Sequence, residues 1–297
     1  MTVIINVIQN LVDAISVGSL YALTALGIGL IFGVMRLINF AHSELLTLTG
    51  YTLLLLNSEP TAVAIIGGVV VAIAIALATE RVVFRPLRGA DPTTLLIASF
   101  ALSFFIQKTL ALTVGSKTKG IDVLPQLGAQ IVIGGVRFQL LKVVTIVVTI
   151  VLLGLLSWFL KRTRYGRQMR AAAENFRMAQ LLGVRANLVI SLAFAISGIL
   201  AAAVGILFVS QSGFLEPRMG LQLVAIAFVG TVIGGLGSLT GAAVGGFLVG
   251  AATVLLQAVL PLGLREFREL FVYLLVVVIL LVRPQGLIPA PGLRQRV

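Results

Sequence analysis

Three groups of residues in this chain have the types and spacing to do chemistry. Asn39, His42, Ser43 and Glu44 share one short run, Asn39-Phe40-Ala41-His42-Ser43-Glu44, and offer a base, a hydroxyl and a carboxylate. Those are the groups of proton transfer and of nucleophilic hydrolysis. Sequence neighbours do not face one another on a helix, so His42 cannot serve Ser43 as its base. Ser238, in the run Gly234-Gly235-Leu236-Gly237-Ser238, is the other hydroxyl that His42 could activate, which leaves an intramembrane hydrolase as a remote alternative. The third group lies between Lys161 and Asn187, where Lys161, Arg162, Arg164, Arg167, Arg170, Arg177 and Arg185 stand against a single acid, Glu174. Wound as one helix at about 100° per residue, Arg167, Arg170, Glu174 and Arg177 form a stripe, and Met169, Ala172, Ala173, Phe176, Ala179 and Gly183 take the opposite face. A basic flank, small residues and an aromatic knob make a docking surface for another protein. The same charges also serve simply as an orientation signal between two spans.

The elements that must hold these groups are membrane spans. The sequence is 59% hydrophobic and 11% charged, where a soluble domain carries about a quarter charged residues, and its mean hydropathy is +1.13. Spans of about 20 residues are predicted over Ala14 to Met35, Leu45 to Leu56, Pro60 to Thr79, Pro92 to about Val114, Val143 to Leu160, Ala186 to Leu215 and Phe267 to Val282. The uncharged stretch from Met219 to Leu264 is too long for one crossing and is read as two, turning at Gly234 to Ser238. Gly230, Gly234, Gly237, Gly241, Gly245, Gly246 and Gly250 crowd that turn at four-residue intervals, which lets helices cross closely. Backbone contact to a solute is the other use of such glycines. Asp91 and Pro92 read as an N-cap and first helical residue. Gln130 to Phe138 alternates around Gly134-Gly135 and reads as a hairpin, an external cap or a plain surface loop.

The expected fold is therefore all-α, a polytopic membrane protein of about eight to nine transmembrane helices with a short cytoplasmic coupling helix. It forms a single domain over residues 1–297, with a cytoplasmic loop at about 161–187 and an external loop at about 115–139. A net charge of +12 would suggest nucleic acid in a soluble protein, but here the basic residues sit in loops between spans and set orientation. Cysteine is absent and His42 is the only histidine, so disulfides and thiolate or histidine-rich metal sites are excluded. Gly115-Ser116-Lys117-Thr118 lacks the glycine that a phosphate loop needs before its lysine, so no nucleotide site of that kind is expected. The first residues carry neither basic charge nor a cleavage pattern, and no removable signal peptide is expected.

Four motifs in order carry a resemblance. Ala171-Ala172-Ala173-Glu174-Asn175-Phe176-Arg177-Met178-Ala179-Gln180-Leu181-Leu182-Gly183-Val184 resembles the coupling loop of ABC importer permeases. Asn39 to Glu44 is similar to the N-F-A-H-G-E signature of the branched-chain amino acid permease family, with Ser43 where glycine is usual. Gly234 to Ser238 followed by Gly241-Ala242 and Gly245-Gly246, and the ending Arg283-Pro284-Gln285-Gly286-Leu287, are similar to further stretches of that family. The resemblance implies a permease subunit that forms the translocation path for amino acids of branched-chain type or related small polar solutes. It implies no cofactor on this chain, with ATP and Mg on partner subunits. The implied partners are ABC ATP-binding subunits, a second permease, identical or not, and an extracytoplasmic solute-binding protein, in the lipid of the inner membrane. In this reading Arg170, Ala173, Glu174, Phe176 and Gly183 couple the chain to the ATP-binding subunit. Asn39, His42, Ser43 and Glu44 either line the path or pack and cap helices, and Gly234, Gly235, Gly237, Ser238 and Gly241 pack or break them.

Orientation follows from the basic residues. Nine crossings would place Arg36, Arg81, Arg85, Arg88, the basic residues from Lys161 to Arg185, Arg283, Arg294 and Arg296 on one side. The other side would hold Lys117, Lys119, Arg137, Lys142, Arg218, Arg265 and Arg268. The richer side is cytoplasmic by the positive-inside rule, which puts the N-terminus outside. A segment around His42 that re-enters without crossing would reverse the N-terminus. An ion-coupled secondary transporter or channel is the competing class, with Glu44 as its intramembrane carboxylate.

Overall fold

The computed structural model describes residues 2–133 and 136–288. Helix α1 (Thr2–Met35) runs about 51 Å at 1.5 Å per residue and is the axis of the bundle. Leu23, Ala25, Leu26, Ile28, Leu30 and Ile31 on it are all buried, with α5 (Leu140–Arg162), α8 (Ala186–Ser212), α9 (Met219–Gly234) and α10 (Leu239–Val259) packed around it. Helices α2 (His42–Leu55) and α3 (Thr61–Thr79) lie against α8, and α4 (Pro92–Thr113) flanks α2. The outer faces of α4 and α5 stay apolar, with Ile97, Phe104, Phe105, Leu112, Ile150 and Trp158 exposed, as a surface facing lipid requires.

Among the described residues, six helices are long and apolar enough to cross a membrane: Ile5–Met35, Thr61–Phe84, Pro92–Thr113, Leu140–Arg162, Ala186–Ser212 and Leu239–Val259. That is fewer than the eight to nine transmembrane helices expected from the sequence. The remaining apolar segments form shorter helices, α2 with 14 residues, α9 with 16 and α11 (Arg268–Val282) with 15. At 1.5 Å per residue none of these reaches the roughly 30 Å of a hydrocarbon core. Each is cut short by the backbone. Arg36 takes a left-handed φ of 55° and ends α1, and the chain up to Ala41 is not helical. Gly235, with φ 117°, and Gly237, with φ 86°, stop α9. Pro261 and a 3₁₀ turn at Leu262–Phe267 separate α10 from α11.

The hairpin forms as β2 (Gln130–Ile133) and β3 (Val136–Gln139), with Ile133 opposite Val136. Its turn at Gly134-Gly135 lies outside the described residues, as do Arg294 and Arg296. The same loop also holds β1 (Lys119–Gly120), which pairs with β4 (Phe214–Leu215) and so ties the loop to the end of α8. Asp91 does precede Pro92 at the start of α4, although its side chain makes no capping bond.

Candidate functional site

The run from Asn39 to Glu44 is folded into the middle of the bundle. A Cβ on Gly27 of α1 would stand 2.7 Å from the His42 ring, so after α1 ends at Met35 the chain retraces roughly 12 Å of it before α2 begins. Asn39, His42, Ser43 and Glu44 are all buried. Glu44 Oε1 accepts from Ser43 Oγ at 2.8 Å, Ser103 Oγ at 2.7 Å and Gln107 Nε2 at 2.9 Å. His42 Nδ1 lies 3.1 Å from Ser197 Oγ on α8, and the Ser197 hydroxyl also reaches Gly27 O at 3.0 Å. The Phe40 N–H donates to Ser99 Oγ at 3.3 Å, and the Phe40 ring stacks on Phe100 with centroids 4.2 Å apart. Buried polar groups are tolerated in a membrane interior when they meet such partners; here the partners come from α1, α4 and α8, while Asn39 Oδ1, His42 Nε2 and Glu44 Oε2 are buried without one among the described residues. The group is a brace that joins four helices, shut off from solvent.

Ser43, which replaces a glycine, does not loosen this packing. Its hydroxyl folds back on Phe40 O at 2.7 Å. The close backbone approach is supplied instead by Gly220 on α9, where any Cβ would collide with Ser43 O and stand 2.6 Å from Thr47 Oγ1. Four partners of the brace, Ser99, Ser103, Gln107 and Ser197, were not singled out in the sequence. The signal for three of them is there, since Ser99, Ser103 and Gln107 recur every four residues along the otherwise apolar α4 and make up its buried face with Leu95 and Leu110.

The basic segment forms two helices, α6 (Arg164–Glu174) and α7 (Phe176–Leu181), and not one. Asn175 takes extended backbone at φ −150° and its side chain caps α7, accepting the Met178 N–H at 3.0 Å. The single stripe running from Arg167 to Arg177 is therefore broken between Glu174 and Phe176. Met169 and Ala172 of α6 and Ala179 of α7 are buried, as the apolar face requires. Phe176 is half-buried against the bundle's own core. The exposed apolar surface belongs to residues that the sequence reading quoted within the coupling-loop motif but did not place on the docking face: Met178 at 53% exposure, Leu181 at 76% and Leu182 at 80%. Arg170, Glu174 and Gly183 are exposed and Ala173 is half-buried. Arg36 donates to Ala173 O at 3.4 Å, which ties α6 to the end of α1.

The glycine turn between α9 and α10 is a point of backbone contact. A Cβ on Gly234 would overlap the carbonyl of Gly241, and one on Gly241 would overlap that of Gly234. Ser238 caps α10 by accepting the Gly241 N–H at 3.1 Å. The ending Arg283 to Leu287 closes this turn: Leu287 N–H donates to Ile233 O at 2.8 Å and Ile288 N–H to Gly234 O at 2.9 Å, so the tail takes two carbonyls left free at the end of α9. With Ser238 engaged as a cap and His42 on Ser197, the two do not form a nucleophile and base. Among the described residues, no group of three or more His, Asp or Glu side chains is placed to hold a metal ion.

The family described as branched-chain amino acid transport system, permease component, matches residues 10–282. The chain belongs to this family. BraD, a high-affinity branched-chain amino acid transport system permease protein of Pseudomonas aeruginosa, is 34% identical over 98% of both chains. LivH of Escherichia coli strain K12, described in the same words, is 31% identical over 96% of both. An autoinducer 2 import system permease protein, LsrC of Escherichia coli O9:H4, is 34% identical over 44% of this chain and 40% of its own. The protein is thus the permease component of an ABC-type branched-chain amino acid importer, a multi-pass protein of the inner membrane that forms the translocation path. Such permeases are not enzymes, and ATP is hydrolysed on separate subunits. The hydrolase and the ion-coupled transporter give way to this assignment. Within the permease, the brace and the glycine turn join the helices of the bundle, and the α6–α7 pair leaves large apolar side chains exposed beside it.

Proposed function

We propose that α6 and α7 receive the ATP-binding subunit, and that the exposed end of α7, Met178 with Leu181 and Leu182, enters its groove. The observation that carries this reading is an apolar tip standing exposed on a basic helix pair, α6 of which is tied to the end of α1 by the Arg36 bond to Ala173 O. Such a tip is unfavourable in water and favours a partner. Phe176 then anchors α7 to its own bundle, while Arg170 and Glu174 flank the groove. ATP-driven closure of the partner moves α6 and α7, and the Arg36 contact passes that movement to α1. The spans re-pack and the path opens to the other side. A second permease completes the path, a solute-binding protein delivers a branched-chain amino acid from outside, and Gly183, with φ 86°, lets the chain turn from α7 into α8.

The same reading gives nine crossings with the N-terminus outside. α2 and α9 complete their crossings with the non-helical segments before them, and α11 with the 3₁₀ turn. Because the chain has no cysteine, a single introduced thiol reports alone. Leu182→Cys should cross-link to a co-purifying ATP-binding subunit, and cross-links to lipid alone in a complex that transports normally would overturn the docking. An impermeant thiol reagent should reach Ser58→Cys from the external face and Gly89→Cys only from the cytoplasm. Labelling of Ser58→Cys only from the cytoplasm would remove the α2 crossing.

A further inference from the structure

A cavity of about 480 Å³ lies between α1, α5, α6 and the α9–α10 turn. Its walls carry Leu26, Leu30, Val34, Leu156, Leu160 and Met169, all buried side chains. At its rim stand Lys161, Arg170 and Glu174, all exposed, so charges of both signs surround an apolar floor. Three motifs that are far apart in the sequence meet here: the coupling helix through Arg170, Ala173 and Glu174, the glycine turn through Gly237 and Ser238, and the central helix through Gly33.

We infer that this cavity is a cytoplasmic feedback site for an α-amino acid with an apolar side chain. The inference rests on the permease reading and adds a second solute site to it. A zwitterion with a branched side chain matches the cavity in each part: the side chain meets the leucines, the carboxylate meets Lys161 and Arg170, and the ammonium meets Glu174. A free anion would meet Glu174 unpaired at the rim, a free cation would meet Lys161 and Arg170, and charged side chains would be buried among leucines without partners. The volume holds one such molecule with room for water near its charged end.

The position of the site decides what occupancy does. One wall is α6, the element proposed above to move with ATP, and another is the turn at Gly237 and Ser238. A molecule bound between them favours the arrangement in which the walls are apart, and it shifts the bundle away from any state that brings them together. Solute that has accumulated in the cytoplasm therefore slows the ATP-driven cycle at the permease itself.

The test uses the whole importer reconstituted in vesicles, with the binding protein and its solute inside and the ATP-binding face outward. L-Leucine added at millimolar concentration on the ATP side should lower ATP hydrolysis severalfold, while L-glutamate, L-lysine and glycine leave it unchanged. Two variants fill the cavity from different walls, Ser157→Phe on α5 and Ala243→Leu on α10. At least one that assembles should hydrolyse ATP at the wild-type rate without leucine and lose the inhibition. No effect of leucine on a complex that hydrolyses ATP overturns the feedback site and leaves the permease reading standing. Inhibition that persists in both fillers places the effect on another subunit and also overturns it. A chain that purifies with no ATP-binding subunit would instead overturn the docking proposed for α6 and α7.

Discussion

The brace around Glu44 and the tip of α7 invert the usual partition of side chains in opposite ways. In the brace, polar groups are buried where the surroundings are apolar: His42, Ser43 and Glu44 are each 0% exposed. At the tip, large apolar groups stand outside the bundle, with Leu182 80% exposed. The brace is partnered from within, Glu44 Oε1 by Ser103 and Gln107 on α4 and His42 Nδ1 by Ser197 on α8, which also reaches the backbone of α1, while Asn39 Oδ1, His42 Nε2 and Glu44 Oε2 stay buried without a partner among the described residues. The tip is left uncovered by the described residues of its own chain. A buried polar group with partners fixes an internal arrangement, whereas an exposed apolar group without them is completed by another molecule. The difference separates the residues that hold the bundle together from those proposed to connect it to an ATP-binding partner.

Substitutions that hit one region and spare the other test that division, and the largest effect is expected at the tip. Leu181→Asp with Leu182→Asp should lower uptake by at least tenfold, since burial of one such side chain contributes about 1.5–3 kcal/mol, with the folded amount and thermal midpoint in detergent unchanged. Uptake near wild type in that variant would move docking away from α7. In the brace, Glu44→Ala leaves the Ser103 and Gln107 donors without their acceptor. It should lower the thermal midpoint by an amount corresponding to about 1–3 kcal/mol, while uptake per folded molecule stays within about threefold, the shift expected of roughly 0.6 kcal/mol. Uptake abolished in a fully folded Glu44→Ala protein would make Glu44 a participant in transport and end the distinction. Phe176→Ala falls between the two regions, because Phe176 packs on the core while belonging to α7. Both stability and the ratio of uptake to ATP hydrolysis should drop, each by less than in the other two variants. Smallest is Ser43→Gly, which restores the residue usual in the family: the midpoint should move by less than about 1 kcal/mol, a single neutral hydrogen bond, because Glu44 keeps Ser103 and Gln107.

The sequence was most legible where a single local property carries the information. Hydropathy gave the six long helices, since a run of apolar residues has no alternative in lipid but to close its hydrogen bonds as a helix. Local turn chemistry placed the break at Gly235 and Gly237 and the hairpin ending in Gln139. The same method counted α2, α9 and α11 as full spans, because hydropathy registers how long an apolar run is and not where a backbone such as Arg36 at φ 55° turns it. Of the candidate site, Asn39, His42 and Glu44 were visible as polar residues out of place, but the distant partners of Glu44 and His42 lie 59 to 155 positions away along the chain. The break at Asn175 was hidden for a related reason. A helical wheel assumes a continuous helix, while Asn175 caps a second one.

By itself, then, the sequence determined that this chain is a membrane bundle, what family its motifs belong to, and which of its segments are charged enough to stay in water. Those are sums over neighbouring residues, and neighbours are given by the chain. Only the tertiary structure decided that Glu44 is held inside the protomer by α4, that the free apolar surface is Leu181 and Leu182 and not Phe176, and that the tail at Leu287 closes the α9–α10 turn. Each of these depends on which distant group arrives to satisfy a donor, an acceptor or an apolar face. In a close-packed interior that choice is made by all the helices together.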